Sequence, residues 1–109
     1  MGSKYCSDLK GYCHGPGGDQ DYINAKYKQE HITRAECQAK CDAAPACVGY
    51  TYLQSSTAQC NVYGPGLDRD ITPEERQQGW MADSDGTTTI AGACDHIQWF
   101  TCMAVAGRN

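Results

Sequence analysis

The sequence predicts a small, disulfide-rich α+β domain, and three observations carry that prediction. Eight cysteines fall within 109 residues. One stretch, Thr33 to Ala43, combines a complete helix start signal with a helix-forming interior. Around it lie short runs of β-branched and aromatic residues, bounded by Gly, Pro and polar turns, as antiparallel strands are. The length fits one domain, expected to occupy residues 1–109.

Composition explains why the cysteines are needed. Apolar residues make up 40% of the chain, yet only one is Phe, while two Trp and seven Tyr supply most of the bulk. Tyr and Trp favour half-buried positions with the polar end in water, so the core is thin. Cys6, Cys13, Cys37, Cys41, Cys47, Cys60, Cys94 and Cys102 form an even set, read as a disulfide framework made in an oxidising compartment. The alternative is a reduced protein with a structural zinc. It lacks the C-x2-C knuckle, and His14, His31 and His96 stand at no ligand-like spacing from a cysteine pair.

The net charge is −4, with charges mixed along the chain. Lys26 and Lys28, flanking Tyr27, form the densest basic spot, too little for a nucleic-acid footprint or a dedicated heparin patch. No apolar run is long enough to span a bilayer. Met1-Gly2-Ser3 looks like an expression leader, so a native secretion signal is expected to have been removed. No N-x-S/T sequon occurs.

The elements follow in order. Residues 11–21, with Gly15-Pro16-Gly17-Gly18, mark an irregular loop, and Tyr22–Tyr27 alternates weakly as a first short strand. Thr33-Arg34-Ala35-Glu36 is a capping box, which predicts a helix from Arg34 to about Ala43, stopped by Pro45. Cys37 and Cys41, four apart, share one face of it. Cys47–Leu53 is a strand, Gln54–Ala58 a polar hairpin loop, and Gln59–Tyr63 the return strand, ended by Gly64-Pro65-Gly66. Thr72, Pro73 and Glu75 start a short helix running to Gly79. Asp83-Ser84-Asp85-Gly86 is a turn, and His96–Val105 a final strand.

A helix carrying Cys37 and Cys41, then Cys47-Val48-Gly49-Tyr50-Thr51-Tyr52, a polar loop, and Cys60-Asn61-Val62-Tyr63-Gly64 resembles the PAN/Apple family. The likeness is good over residues 32–64, and Cys13 and Cys102 extend it to most of the chain. It implies a curved antiparallel sheet packed around one central α-helix. It also implies the pairs Cys37–Cys60, Cys41–Cys47 and Cys13–Cys102, leaving Cys6 with Cys94. A swap at the termini, Cys6–Cys102 with Cys13–Cys94, is the alternative. The sequence departs from the family in a long insertion over 66–92, where binding properties of family members do not carry over.

No motif for catalysis is present: G-x-S-x-G, H-E-x-x-H and a phosphate-cradling glycine loop are all missing, so no enzyme is expected. His96 follows Asp95, but neighbours in a strand point to opposite faces. Asp83-x-Asp85-Gly86, with Asp68 and Asp70, echoes a calcium loop yet lacks its further ligands, so no metal and no cofactor is expected.

What remains is a binding surface. Tyr50 and Tyr52 share a strand face, Arg69 sits in an Asp-Arg-Asp turn that can offer a guanidinium to a carboxylate or sulfate, and Trp99 lies opposite Cys102 on the last strand. These four are the expected ligand contacts. The competing view packs the tyrosines against the helix and leaves only Arg69 exposed. The expected function is a secreted or cell-surface adhesion module for a protein or glycan; where a parent protein holds several such modules in tandem, weak binding would gain from multivalency. A secreted effector or matrix protein without a small-ligand pocket is the alternative.

Overall fold

The computed structural model describes residues 5–10, 13, 24–82, 85–87, 89–90 and 100–105, with only the backbone of 5–10 and 100–101. The elements are β1 (Tyr5–Lys10), β2 (Tyr27–Gln29), α1 (Arg34–Ala43), β3 (Gly49–Leu53), β4 (Gln59–Tyr63), α2 (Pro73–Gln77) and β5 (Phe100–Val105).

Both helices start where their side chains can satisfy the free backbone N–H groups of the first turn. Thr33 Oγ1 accepts from the Glu36 amide at 3.1 Å, and the Thr33 amide donates to Glu36 Oε1 at 2.9 Å. Thr72 and Glu75 repeat the arrangement on α2, with Pro73 at the first helical position where no donor is lost. The two helix starts expected from the sequence are therefore both present, so a fold with one central helix gains a second, shorter one.

The strands form a single antiparallel sheet in the order β1-β5-β3-β4-β2. The hairpin β3–β4 pairs Tyr52 with Cys60 and Tyr50 with Val62. On its other side β3 pairs Thr51 with Cys102, and β1 closes that edge by pairing Leu9 with Cys102. β3 begins at Gly49 rather than Cys47. Of the expected strand over Tyr22–Tyr27, Tyr22 and Ile23 lie outside the described residues and the rest is corrected: residues 24–26 are not strand, and the described ladder runs from Tyr27, where the chain comes alongside Val62 of β4. β1 carried no clear periodic signal.

Both faces of β3 are covered. On one, Tyr50, Tyr52, Cys60, Val62 and Val105 pack with Cys37 and Cys41 of α1. On the other, Cys13, Val48, Tyr63, Ile90, Cys102 and Ala104 form a second cluster. Thr51 is the buried polar residue of this second face. Its Oγ1 accepts from the Tyr63 hydroxyl at 2.9 Å and from the Cys13 amide at 3.2 Å.

Three disulfides join Cys13 to Cys102, Cys37 to Cys60 and Cys41 to Cys47, the pairs that the family resemblance implies. The first excludes the terminal swap. The Cys6–Cys94 pair lies outside the residues whose side chains are described. Together the bridges pin α1 to the start of β3 and to β4, and the segment before the helix to the last strand. Among the described residues no helix is long and apolar enough to cross a membrane.

Candidate functional site

The site is built where the 64–82 segment folds onto the outer edge of the sheet. β2 is an edge strand, and an uncovered edge exposes unpaired backbone groups. Here residues 79–81 cover it: the Lys28 amide donates to the Gly79 carbonyl at 2.9 Å, and the Met81 amide to the Lys26 carbonyl at 2.9 Å. Between these bonds Trp80 bridges to Tyr27, their rings 5.0 Å apart between centroids and tilted by 58°. Gly79 makes the approach possible. It has φ 118°, and a Cβ there would stand 2.6 Å from the Lys28 carbonyl oxygen.

Tyr27 anchors this edge from below. Fully buried, it donates its hydroxyl to Gln29 Oε1, and Lys40 of α1 lies over its ring with Nζ 5.6 Å from the centroid. Burial, helped by the negative charge of Glu36, pushes its phenol up to about 12, so it stays neutral.

Between the edge and α2 opens a cleft of about 430 Å³, lined by Lys26, Pro65, Leu67, Arg69, Asp70, Ile71, Arg76 and Ala82. Its floor is the Lys26 stem lying across Gly66, where φ is 92° and a Cβ would come within 2.6 Å of Lys26 Cγ. Lys26 Nζ donates to the Ala82 carbonyl at 3.4 Å. The Arg69 guanidinium is held within the fold. Its two terminal nitrogens donate to the two carboxylate oxygens of Glu75 at 2.7 Å each, and one also reaches the Asp70 carbonyl at 3.2 Å. Arg69, and after it the Thr72 amide, hold the Glu75 carboxyl down to about 2. The Arg76 guanidinium has no hydrogen-bond or ion-pair partner among the described residues.

The four residues expected to contact ligand separate here. Arg69 lines the cleft, but the carboxylate it meets is the protein's own Glu75. Tyr50 and Tyr52 do not face solvent, which corrects the expected outer face: Tyr50 is 0% exposed and donates to Gln38 of α1 at 2.9 Å, and Tyr52, 8% exposed, donates to the Ile32 carbonyl at 2.7 Å. The reason is that α1 covers the face they share. Trp99 lies outside the described residues, as do the Asp95–His96 pair, His14 and the 14–18 glycine loop. Of the acidic turn, Asp83 is likewise outside, and among the described residues no cluster of three or more His, Cys, Asp or Glu could hold a metal ion.

Lys26, Leu67, Ile71 and Arg76 were missed as site residues. The sequence marked Lys26 only as part of a basic spot, and nothing in it joins residue 26 to residues 67–82; edge pairing does. Comparison with protein-family models, curated proteins and solved structures returns no match.

Proposed function

We propose that this protein is an extracellular binding module of PAN/Apple type, and that the cleft beside β2 holds its ligand, a protein or glycan. The carrying observation is the position of the cleft. It is built by the insertion that departs from the family pattern, and it rests on a sheet and helix clamped by disulfides. A recognition loop on a rigid scaffold loses little entropy on binding, which is how small modules reach useful affinity. Disulfide-dense small domains belong to oxidising compartments, which supports a secreted or cell-surface setting.

The test is capture from native extracellular fluid together with a glycan array, comparing the oxidised protein with Leu67→Trp, which fills the cleft. Ligand retained by the first and lost by the second is the expected result. Equal capture by both overturns the cleft as the site. Silence in both assays favours a rigid effector or matrix protein used without a pocket.

A further inference from the structure

We infer that the cleft recognises one acidic side chain within a peptide segment, with Arg76 as the anchoring cation. This rests on the reading of the protein as a binding module and names the chemistry of its ligand. The lining holds three of the chain's nine Lys and Arg against one carboxylate, Asp70, in a protein whose net charge is −4. With Arg69 offset by its partner Glu75, the lining still keeps one net positive charge against the overall balance, and a concave site focuses such a field on an anion.

The cations have different duties. Arg69 is fixed and charge-compensated by Glu75 and stands as a preorganised wall. Lys26 is tethered at Ala82 across the floor. Arg76, exposed on α2, keeps its planar fork for an incoming group, and a guanidinium meets a carboxylate with two parallel hydrogen bonds.

The remaining walls decide between an acidic peptide and an acidic sugar. Pro65, Leu67, Ile71 and Ala82 are aliphatic, and no aromatic ring lines the cleft among the described residues. Sugar rings gain most from stacking on aromatic faces, whereas aliphatic walls suit the methylene stem of Glu and an apolar neighbour. The volume lies toward the lower end of small-ligand sites, which run from about 300 to about 1,000 Å³. Asp70 sets the count of charges: it repels a second carboxylate, so the cleft takes one acidic side chain and not an acidic run.

The experiment is a titration of the isotopically labelled, oxidised protein with acetyl-Leu-Glu-Leu-amide and its Gln counterpart, read from backbone amide shifts at low salt. Shifts at Lys26, Leu67, Ile71 and Ala82 that saturate with the Glu peptide are expected. The Gln peptide and the Arg76→Gln variant should each bind about tenfold more weakly, one charge-assisted contact being worth that much. Asp70→Asn should bind the Glu peptide more tightly, and added salt should weaken it. Unchanged α2 amide shifts in Arg76→Gln show that the variant keeps the fold. Equal binding of Glu and Gln peptides, no shift in the cleft at millimolar peptide, or a sulfated disaccharide shifting these amides where the Glu peptide does not, each overturns the inference. Capture from extracellular fluid that is lost in Leu67→Trp but survives in Arg76→Gln overturns it while leaving the module reading intact.

Discussion

Glu75 is where a single residue couples the helix start to the cleft. Its carboxylate serves both the Thr72 amide and the Arg69 fork, and its side chain is only 19% exposed. Folding lowers this group from the ordinary 4.5 to about 2, so its contribution is fully present above the unfolded value and is lost as the pH falls toward 2. Glu36 is lowered as well, chiefly by the Thr33 amide, and acts in the same direction. A carbon-detected titration of Glu75 is expected to give a midpoint near 2 in the native protein. In Arg69→Gln the midpoint should move up toward the ordinary carboxyl value; a midpoint that stays put would mean that the guanidinium contact is absent in solution. Thr51 makes a second prediction at this scale. Thr51→Val keeps the shape but removes the hydroxyl that accepts from the Tyr63 hydroxyl and leaves the Cys13 amide without that acceptor. An unsatisfied buried donor costs about 1–3 kcal/mol, which denaturant unfolding should show as a lowered midpoint.

At the scale of elements, the two helices have the same start signal and different dependence on it. α1 buries Cys37 and Cys41 and is bridged to β4 and to the segment that enters β3, whereas α2 buries no residue and is held at its start by its cap and the Arg69–Glu75 pair. Loss of an N-cap side chain costs about 1 kcal/mol in either helix, but the consequence should differ. Thr33→Ala is expected to lower the global unfolding midpoint with α1 still formed. Thr72→Ala should leave that midpoint nearly unchanged and raise amide hydrogen exchange over residues 73–78, because α2 can open without exposing core. If exchange over α2 matches wild type, the cap is dispensable and the cleft wall has another support. The same contrast explains the tyrosines. A strand face covered by a helix and a strand face open to a ligand have the same period-two pattern, so alternation alone could not tell which way Tyr50 and Tyr52 were used.

In the whole molecule, the bridges do work that an aliphatic core does elsewhere. Among the described residues the core is largely Tyr and disulfide sulfur, with Val48, Val62, Ile90 and Val105 as its branched aliphatics. The bonds span sequence separations of 89, 23 and 6 residues. Chain entropy assigns them about 4.6, 3.4 and 2.4 kcal/mol respectively. Replacing each pair by Ala and melting the three variants should therefore rank Cys13–Cys102 as the most damaging loss and Cys41–Cys47 as the least. The reverse order would show that native-state packing at the bridge, rather than restriction of the unfolded chain, governs its value. Full reduction is expected to unfold the domain, visible as loss of the cooperative melt.

Local signals were legible in the sequence because their causes are local. The α1 and α2 start signals, the β3–β4 hairpin and the stop at Pro45 each depend on side chains within a few positions of one another, and the structure places all of them within two residues of the expected bounds. The cysteine pairing was reached only through a family likeness, since spacing leaves many connectivities open. β1 and β2 were not legible, for they are edge strands whose partners lie far away in sequence and whose pairing is selected by what they meet. The cleft belongs to the same class. Arg69 was visible as a guanidinium in a turn, but its partner Glu75, the Lys26 floor and the Arg76 fork are brought together by the docking of residues 79–81 onto β2. The sequence alone determined a stapled α+β domain with two capped helices. What covers each face of the sheet and where the cations gather were decided by tertiary packing, because both depend on which distant segment covers an edge or a face, and no periodicity encodes that.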